Sequence, residues 1–158
     1  GIPSTAEAAQ SKRFDKVDKQ QKQWFSANKT AAELDTKAWT SHEWVRFIEK
    51  MPEVLTVEQM AELDAAFQFT GTANPEIAQR WYPLTVRSNY LQARTEIEAF
   101  LIRVGRRKLI MPTYVELAKT DEGRVFAQTV FDKARPGYHP ITTGSVTEVL
   151  AVTEAPTP

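Results

Sequence analysis

The stretch Thr40-Ser41-His42-Glu43-Trp44-Val45-Arg46-Phe47-Ile48-Glu49-Lys50-Met51-Pro52 carries a complete helix signal. Thr40 and Glu43 have the spacing of a capping box, in which a hydroxyl and a carboxylate satisfy free amides at the start of a helix. Apolar residues then recur every three or four positions, which predicts one buried face, and Pro52 marks the end. The predicted buried residues are Trp44, Phe47, Ile48 and Met51.

The same combination of caps and periodicity recurs along the rest of the chain. Thr56 and Gln59 form a second capping box, and Asn74 followed by Pro75 gives a cap and a first-turn proline. We expect Pro83 to kink its helix because its ring removes one ladder bond. The predicted helices cover residues 6–25, 41–51, 57–67, 75–86, 90–104 with Ser88 or Asn89 as cap, 112–119, a segment from Thr120 to Arg135 that buries Val125, Phe126, Thr129 and Val130, and a last, more weakly patterned segment after Pro140.

Eight or nine helices joined by short links, with no convincing alternating strand, predict an all-α fold of antiparallel helical hairpins stacked in two layers. We expect residues 1–152 to form a single helical domain and residues 153–158 to form a frayed tail. Because the chain begins with Gly1 and not with methionine, we also expect it to be a piece of a longer protein.

The composition excludes several classes of function. Twenty basic residues balance twenty acidic ones, so no net charge attracts nucleic acid or an anionic membrane. The absence of cysteine excludes disulfides, iron–sulfur clusters and thiolate zinc sites. No apolar run approaches the roughly 20 residues of a membrane span. We expect a cytoplasmic location, with a periplasmic or secreted one left open.

No set of residues in the sequence forms a recognisable active site. His42 and Glu43 begin a His-Glu-x-x-His pattern, but Arg46 stands where the second imidazole must lie, and arginine cannot bind zinc. His139 precedes a proline in a predicted turn, where an imidazole usually bonds to the backbone. No carboxylate is expected to be buried, as a paired-acid mechanism would require. We therefore predict no catalytic residue and no metal ligand in this chain.

The segment Gly105-Arg106-Arg107-Lys108, called the basic joint below, is the strongest functional feature of the sequence. Gly105 follows an apolar-periodic run and is expected to end one helix, while Pro112 opens the next. The cations between them have two interpretations. They can form a solvated turn that favours the negative end of the preceding helix. Alternatively, Arg106 and Lys108 project to the same side of a non-helical connection and bind a carboxylate or phosphate, with Arg107 pointing away.

Three segments together resemble a known family. Residues 69–81 read Phe-Thr-Gly-Thr-Ala-Asn-Pro-Glu-Ile-Ala-Gln-Arg-Trp, residues 105–108 read Gly-Arg-Arg-Lys with Pro112 four residues on, and residues 138–142 read Tyr-His-Pro-Ile-Thr. In this order and at this spacing they resemble the C-terminal helical domain of zinc metalloaminopeptidases of the leukotriene A(4) hydrolase and aminopeptidase B type. The opening Gly1-Ile2-Pro3 is similar to a Gly-Leu-Pro stretch in that family.

The resemblance implies a two-layer α-α superhelix like armadillo or HEAT arrays, and a non-catalytic role. The zinc and the catalytic residues are expected in a separate catalytic domain on which this one packs, with short peptides as substrates and no cofactor, nucleic acid or membrane bound here. Arg106 and Lys108 occupy the places of the family's carboxylate-binding cations. Met111 stands where relatives carry a cation, which leaves substrate preference open, and nothing in these residues supports epoxide hydrolysis. A helical scaffold for protein–protein interaction or dimerisation remains the alternative.

Overall fold

The structure, a computed structural model, describes residues 4–151, and within that range it contains helices and no strands. The α-helices are α1 (Thr5–Phe25), α2 (Ser41–Glu49), α3 (Val57–Phe67), α4 (Pro75–Arg87), α5 (Arg94–Arg103), α6 (Arg107–Leu117), α7 (Asp121–Ala134) and α8 (Pro140–Ala151), with short 3-10 turns at Ala31–Glu33, Leu91–Ala93 and Arg135–Gly137. The all-α prediction is confirmed. Every helix in this range is either too short or too polar to span a lipid bilayer. The predicted tail at residues 153–158 lies outside the described residues.

The helices pack in two rows. Helix α2 contacts α4, α4 contacts α6 and α6 contacts α8, so alternate helices of the chain are neighbours in one layer. Helix α5 contacts α7 in the other layer, and α6 also contacts α7 across the two layers. This is the arrangement of an α-α superhelix, in which each helical pair stacks on the next and buries a continuous core.

The predicted N-caps are present in the structure. Thr56 Oγ1 accepts a hydrogen bond from the Gln59 amide at 3.0 Å, and Gln59 Oε1 accepts one from the Thr56 amide at 2.9 Å. Asn74 Oδ1 accepts from the Glu76 amide at 3.0 Å, with Pro75 in the first turn. Helix α4 continues through Pro83. These local signals therefore define where α3 and α4 begin.

The start of α5 differs from its prediction. Ser88 and Asn89 were expected to cap a helix starting at Tyr90, but Ser88 caps the C-terminus of α4 and α5 begins at Arg94, after a 3-10 turn. Asn89 has a left-handed φ of 55°, which asparagine tolerates better than most residues and which often follows the end of a helix. The Ser88 hydroxyl instead accepts a hydrogen bond from the Leu55 amide at 3.0 Å.

The buried face of α7 is also rotated relative to the prediction. Val125 is 69% exposed and Thr129 is exposed, so the expectation that both are buried was wrong. Gly123 lies directly against the last turn of α6, and this close approach sets which side of α7 faces inward. The residues that α7 buries are Gly123, Ala127, Val130, Phe131 and Ala134.

One carboxylate is buried, contrary to expectation. Glu43 in α2 is only 2% exposed, and its carboxylate accepts hydrogen bonds from the Thr40 amide at 3.1 Å and from the Thr40 hydroxyl. Arg13 Nε in α1 lies 3.1 Å from its other oxygen. Burial acts to raise the pKa of Glu43, but the hydrogen bonds and the Arg13 charge outweigh it and hold the pKa below its ordinary 4.5. Because every oxygen is satisfied, Glu43 is a structural cap.

We expect Glu43→Gln to be less stable than the wild type at neutral pH by about 2 kcal/mol, because charged hydrogen bonds become neutral ones. A carboxyl with a lowered folded pKa contributes stability that is complete above pH 4.5 and is lost as the pH falls through the folded pKa. The variant should therefore lose less unfolding free energy than the wild type on acidification, measured by urea denaturation. Glu58→Gln, an exposed first-turn acid in α3, is the control and should match the wild type.

Candidate functional site

His42 lies in the first turn of α2, and His139 immediately precedes α8. His42 is exposed in the first turn of α2, and Arg46, one turn further on, donates two hydrogen bonds to Asp18 at 3.0 and 2.9 Å. His139 Nδ1 accepts a hydrogen bond from the Ile141 amide at 3.1 Å, which confirms the expected bond to the backbone. Residues 4–151 contain no group of three or more histidine, aspartate or glutamate side chains that could hold a metal ion.

The basic joint has a different backbone from the one predicted. Helix α5 ends at Arg103, and its C-cap is Val104 in an extended conformation, so Gly105 does not end the helix with a left-handed φ. Helix α6 begins at Arg107 and not at Pro112, which lies inside it. Arg106 is therefore the N-cap of α6, and Lys108 lies in its first turn and not on a non-helical connection.

The three cations of the joint have different surroundings. All three side chains are exposed. Arg107 Nε donates a hydrogen bond to Ser145 Oγ in α8 at 2.8 Å, which ties the start of α6 to α8. Among the described residues, the side chains of Arg106 and Lys108 make no salt bridge and no hydrogen bond. These two cations are thus available to an external anion.

These cations lie at the N-terminal end of α6, where the helix itself produces a positive potential. The first amides of an α-helix lack partners, and the macrodipole places partial positive charge at the same end. The first turn of α6 contains no acidic residue to offset it. Three side-chain cations and the amides therefore act together, an arrangement that attracts carboxylates and phosphates. The same cations also follow the negative end of α5, so the solvated-turn interpretation stays a prediction beside the anion-binding one.

Pro112 explains how α4 holds the joint. A proline inside a helix has no amide to donate to the carbonyl four residues earlier, which here is that of Lys108. Gln79 Nε2 in α4 donates to this carbonyl at 2.9 Å instead. The residue was not identified from the sequence, although a proline inside a helix signals a carbonyl that needs another donor.

Tyr138 lies at the other end of the joint, where α5 ends. A Cβ built on Gly105 would lie 3.5 Å from Tyr138 Cδ1 and 3.6 Å from the Gly137 carbonyl oxygen, so this ring lies on the side of Gly105 where a side chain would project. The Tyr138 hydroxyl donates to the Leu101 carbonyl in the last turn of α5 at 2.5 Å. Segments 69–81, 105–108 and 138–142 are therefore connected in space through the joint.

The first of these segments forms a loop around Asp64 at the end of α3. Asp64 Oδ1 accepts from the Thr70 amide at 2.8 Å, and Oδ2 accepts from the hydroxyls of Thr70 at 2.6 Å and Tyr90 at 2.9 Å. Gly71 has a φ of +87°, and its amide donates to the Tyr82 hydroxyl at 3.0 Å. The Thr-Gly-Thr sequence thus has a structural role, since it connects α3 to the helix that carries Gln79.

Comparisons with known proteins show which family this sequence resembles. The sequence profile of the family described as "Leukotriene A4 hydrolase, C-terminal" matches residues 39–150. A protein named leucine aminopeptidase 2 from Neurospora crassa is 33% identical over 135 residues, which cover 84% of this chain and 20% of that protein. Its namesake from Pyricularia oryzae is 29% identical over 121 residues, covering 75% and 19%. The chain spans about a fifth of the length of these relatives.

A solved structure gives the same result for the fold. The structure of native yeast LTA4 hydrolase superposes with a TM-score of 0.70 at 22% identity, covering 96% of this chain and 27% of that chain. The two-row helical arrangement is thus the one found in that enzyme. Because the family profile matches most of the sequence, this chain belongs to the leukotriene A4 hydrolase C-terminal family.

Proposed function

We propose that this chain is the C-terminal, non-catalytic domain of a zinc-dependent aminopeptidase, in which Arg106 and Lys108 bind the free carboxylate of a short peptide substrate. The observation that carries the proposal is the pair of exposed cations at the positive end of α6, which have no ionic partner among the described residues. The family membership and the relatives named leucine aminopeptidase 2 support the peptide as substrate.

The hydrolysis itself belongs to another part of the enzyme. The described residues offer no metal-binding group, so the zinc expected for such an aminopeptidase does not fit here. In the catalytic domain a zinc ion would supply the activation of water. We take residues 1–152 as one domain that packs on the catalytic domain and forms one wall of the substrate cleft, with no nucleic acid and no membrane as partner.

The two cations would select peptide substrates by their length. A guanidinium and an ammonium at a fixed distance from the scissile bond favour peptides whose C-terminal carboxylate reaches them. Each hydrogen bond to a charged group contributes roughly 1.5 to 3 kcal/mol. The joint thereby aligns short peptides without taking part in bond cleavage.

We expect Arg106→Ala in the full-length enzyme to lower kcat/KM for a tripeptide with a free carboxylate by about 10- to 100-fold, the loss of one charged hydrogen bond. The same tripeptide with a C-terminal amide should change by less than about threefold, because it carries no anion for Arg106. Steady-state kinetics with this matched substrate pair measure the difference.

Arg107→Ala is the matched control, since it removes the neighbouring arginine, whose side chain bonds to Ser145. Its effect on the ratio between acid and amide substrates should be several-fold smaller than that of Arg106→Ala. Equal losses on the two substrates in Arg106→Ala would contradict carboxylate binding. That result would favour the alternative, a helical scaffold for protein–protein interaction or dimerisation.

A further inference from the structure

We propose that Tyr138 is a positioning residue that holds the joint between α5 and α6 in place and thereby sets the preference of the enzyme for peptides with a free carboxylate. This inference rests on the proposed role of Arg106 and Lys108. Tyr138 follows the 3-10 turn Arg135–Gly137 and precedes α8, so it lies on a different part of the chain from the cations it positions.

The hydroxyl of Tyr138 bonds to a carbonyl in the last turn of α5. The Leu101 carbonyl would bond to the Gly105 amide if α5 continued, but the helix ends at Arg103. The Tyr138 hydroxyl donates to this carbonyl at 2.5 Å and replaces the missing helical donor. The chain can therefore turn at Val104 while the Leu101 carbonyl keeps a hydrogen-bond donor.

A second tyrosine fixes the direction of the hydroxyl. Tyr114 Oη in α6 lies 3.0 Å from Tyr138 Oη. Because the only O–H of Tyr138 already donates to the Leu101 carbonyl, Tyr114 must be the donor in this second hydrogen bond. Both side chains are buried, at 0% and 7% exposure, and burial raises the pKa of Tyr138 while the bond from Tyr114 acts against this rise. A protonated hydroxyl pair thus connects the end of α5 to the middle of α6.

The ring of Tyr138 lies beside Gly105. It is in van der Waals range of a Cβ built on Gly105, the residue immediately before Arg106. The ring itself is stacked on Phe131 in α7, with centroids 6.1 Å apart and planes 28° apart. The ring beside Gly105 is therefore itself held in place by its packing on α7.

This support matters for a carboxylate because charged hydrogen bonds depend strongly on distance and direction. A shift of about 1 Å in a group that aligns a substrate is enough to reduce rates by up to about 100-fold. Tyr138 bonds to the end of α5 and lies beside Gly105, the residue before Arg106, so a change at Tyr138 reaches the base of the Arg106 side chain. Tyr138 acts only through the joint, so it is a positioning residue and not a catalytic one.

The test is Tyr138→Phe in the full-length enzyme, which keeps the ring and removes only the oxygen. We expect KM for the tripeptide with a free carboxylate to rise about tenfold with kcat almost unchanged, and kinetics on the C-terminal amide to stay within about twofold. Tyr90→Phe is the matched control, because Tyr90 is also 7% exposed and its hydroxyl also bonds to one acceptor, Asp64 at 2.9 Å. It should leave the ratio between acid and amide substrates unchanged.

The outcomes separate this inference from the proposed function. If Arg106→Ala discriminates between the acid and the amide but Tyr138→Phe does not, Tyr138 has only a structural role and the inference is wrong. Equal losses on both substrates in Tyr138→Phe, with a lowered melting temperature, lead to the same conclusion. In the Arg106→Ala, Lys108→Ala background, Tyr138→Phe should cause no further change in the ratio, since no cation remains to be positioned. If Arg106→Ala itself fails to discriminate, the proposed function fails first.

Discussion

Gly123→Ala is expected to destabilise the chain by about 3 kcal/mol, toward the upper end of what overpacking a core costs. A Cβ on Gly123 would overlap the carbonyl oxygen of Leu117 and lie 3.0 Å from its carbonyl carbon and 2.9 Å from Thr120 Oγ1. Two of these atoms belong to the backbone, so no side-chain rotation relieves the contact. Helix α7 would have to move away from α6, and the melting temperature should fall by roughly 10 °C.

Gly144→Ala is a control of the same chemical change in the same chain. Gly144 lies inside α8, is exposed, and has no neighbouring atom within 4 Å of the added Cβ. Alanine is the better helix former by about 1 kcal/mol, so this variant should be slightly more stable than the wild type. Thermal unfolding of the two variants checks the pair. Similar melting temperatures for both would show that α6 and α7 are not in contact at Gly123.

Asp64→Ala is expected to lower the free energy of unfolding by about 3 kcal/mol, because it leaves three hydrogen-bond donors without their acceptor. These donors are the Thr70 amide and the hydroxyls of Thr70 and Tyr90. The Thr70 hydroxyl in turn accepts a bond from Trp81 Nε1 at 3.0 Å. Loss of Asp64 should therefore loosen the loop that connects α3 to α4, which denaturant unfolding and hydrogen exchange of residues 68–74 would detect.

Asp132→Ala provides the comparison for Asp64. Asp132 is exposed on α7 and accepts one hydrogen bond, from Gln128 one turn earlier at 2.9 Å. An exposed pair of this kind contributes only a few tenths of a kcal/mol, so this variant should be close to the wild type. A loss in Asp64→Ala no larger than in Asp132→Ala would mean that the loop does not depend on the carboxylate.

Local signals in the sequence were sufficient for the helical content. A cap acts within the first turn of a helix, and apolar periodicity extends along a single helix. Both signals are local, which is why the starts of α3 and α4 agree with the structure. The predictions that Pro112 opens a helix and that Asn89 caps one were wrong for a related reason. Proline is common at the start of a helix, but Pro112 lies inside α6, where Gln79 bonds to the Lys108 carbonyl. Asparagine is common as an N-cap, but Asn89 has a left-handed conformation after the end of α4.

The candidate site was predictable only in its charged residues. Arg106 and Lys108 stand out because three cations in a row follow a glycine. Gln79 and Tyr138 lie inside the segments that carry the family resemblance, but no local pattern gave these two or Tyr114 a role, since their partners are between 24 and 37 residues away along the chain. Contacts of this range depend on how the helices stack, and periodicity contains no information about them.

The placement of the basic joint also links function to stability. Cations at the start of α6 oppose its dipole, so the empty chain is less stable than it would be with neutral residues there. A bound carboxylate would reverse this balance by bringing negative charge to the same place. Under the proposed function, the joint would be a trade-off in which a locally unfavourable charge arrangement is kept because substrate binding would make it favourable.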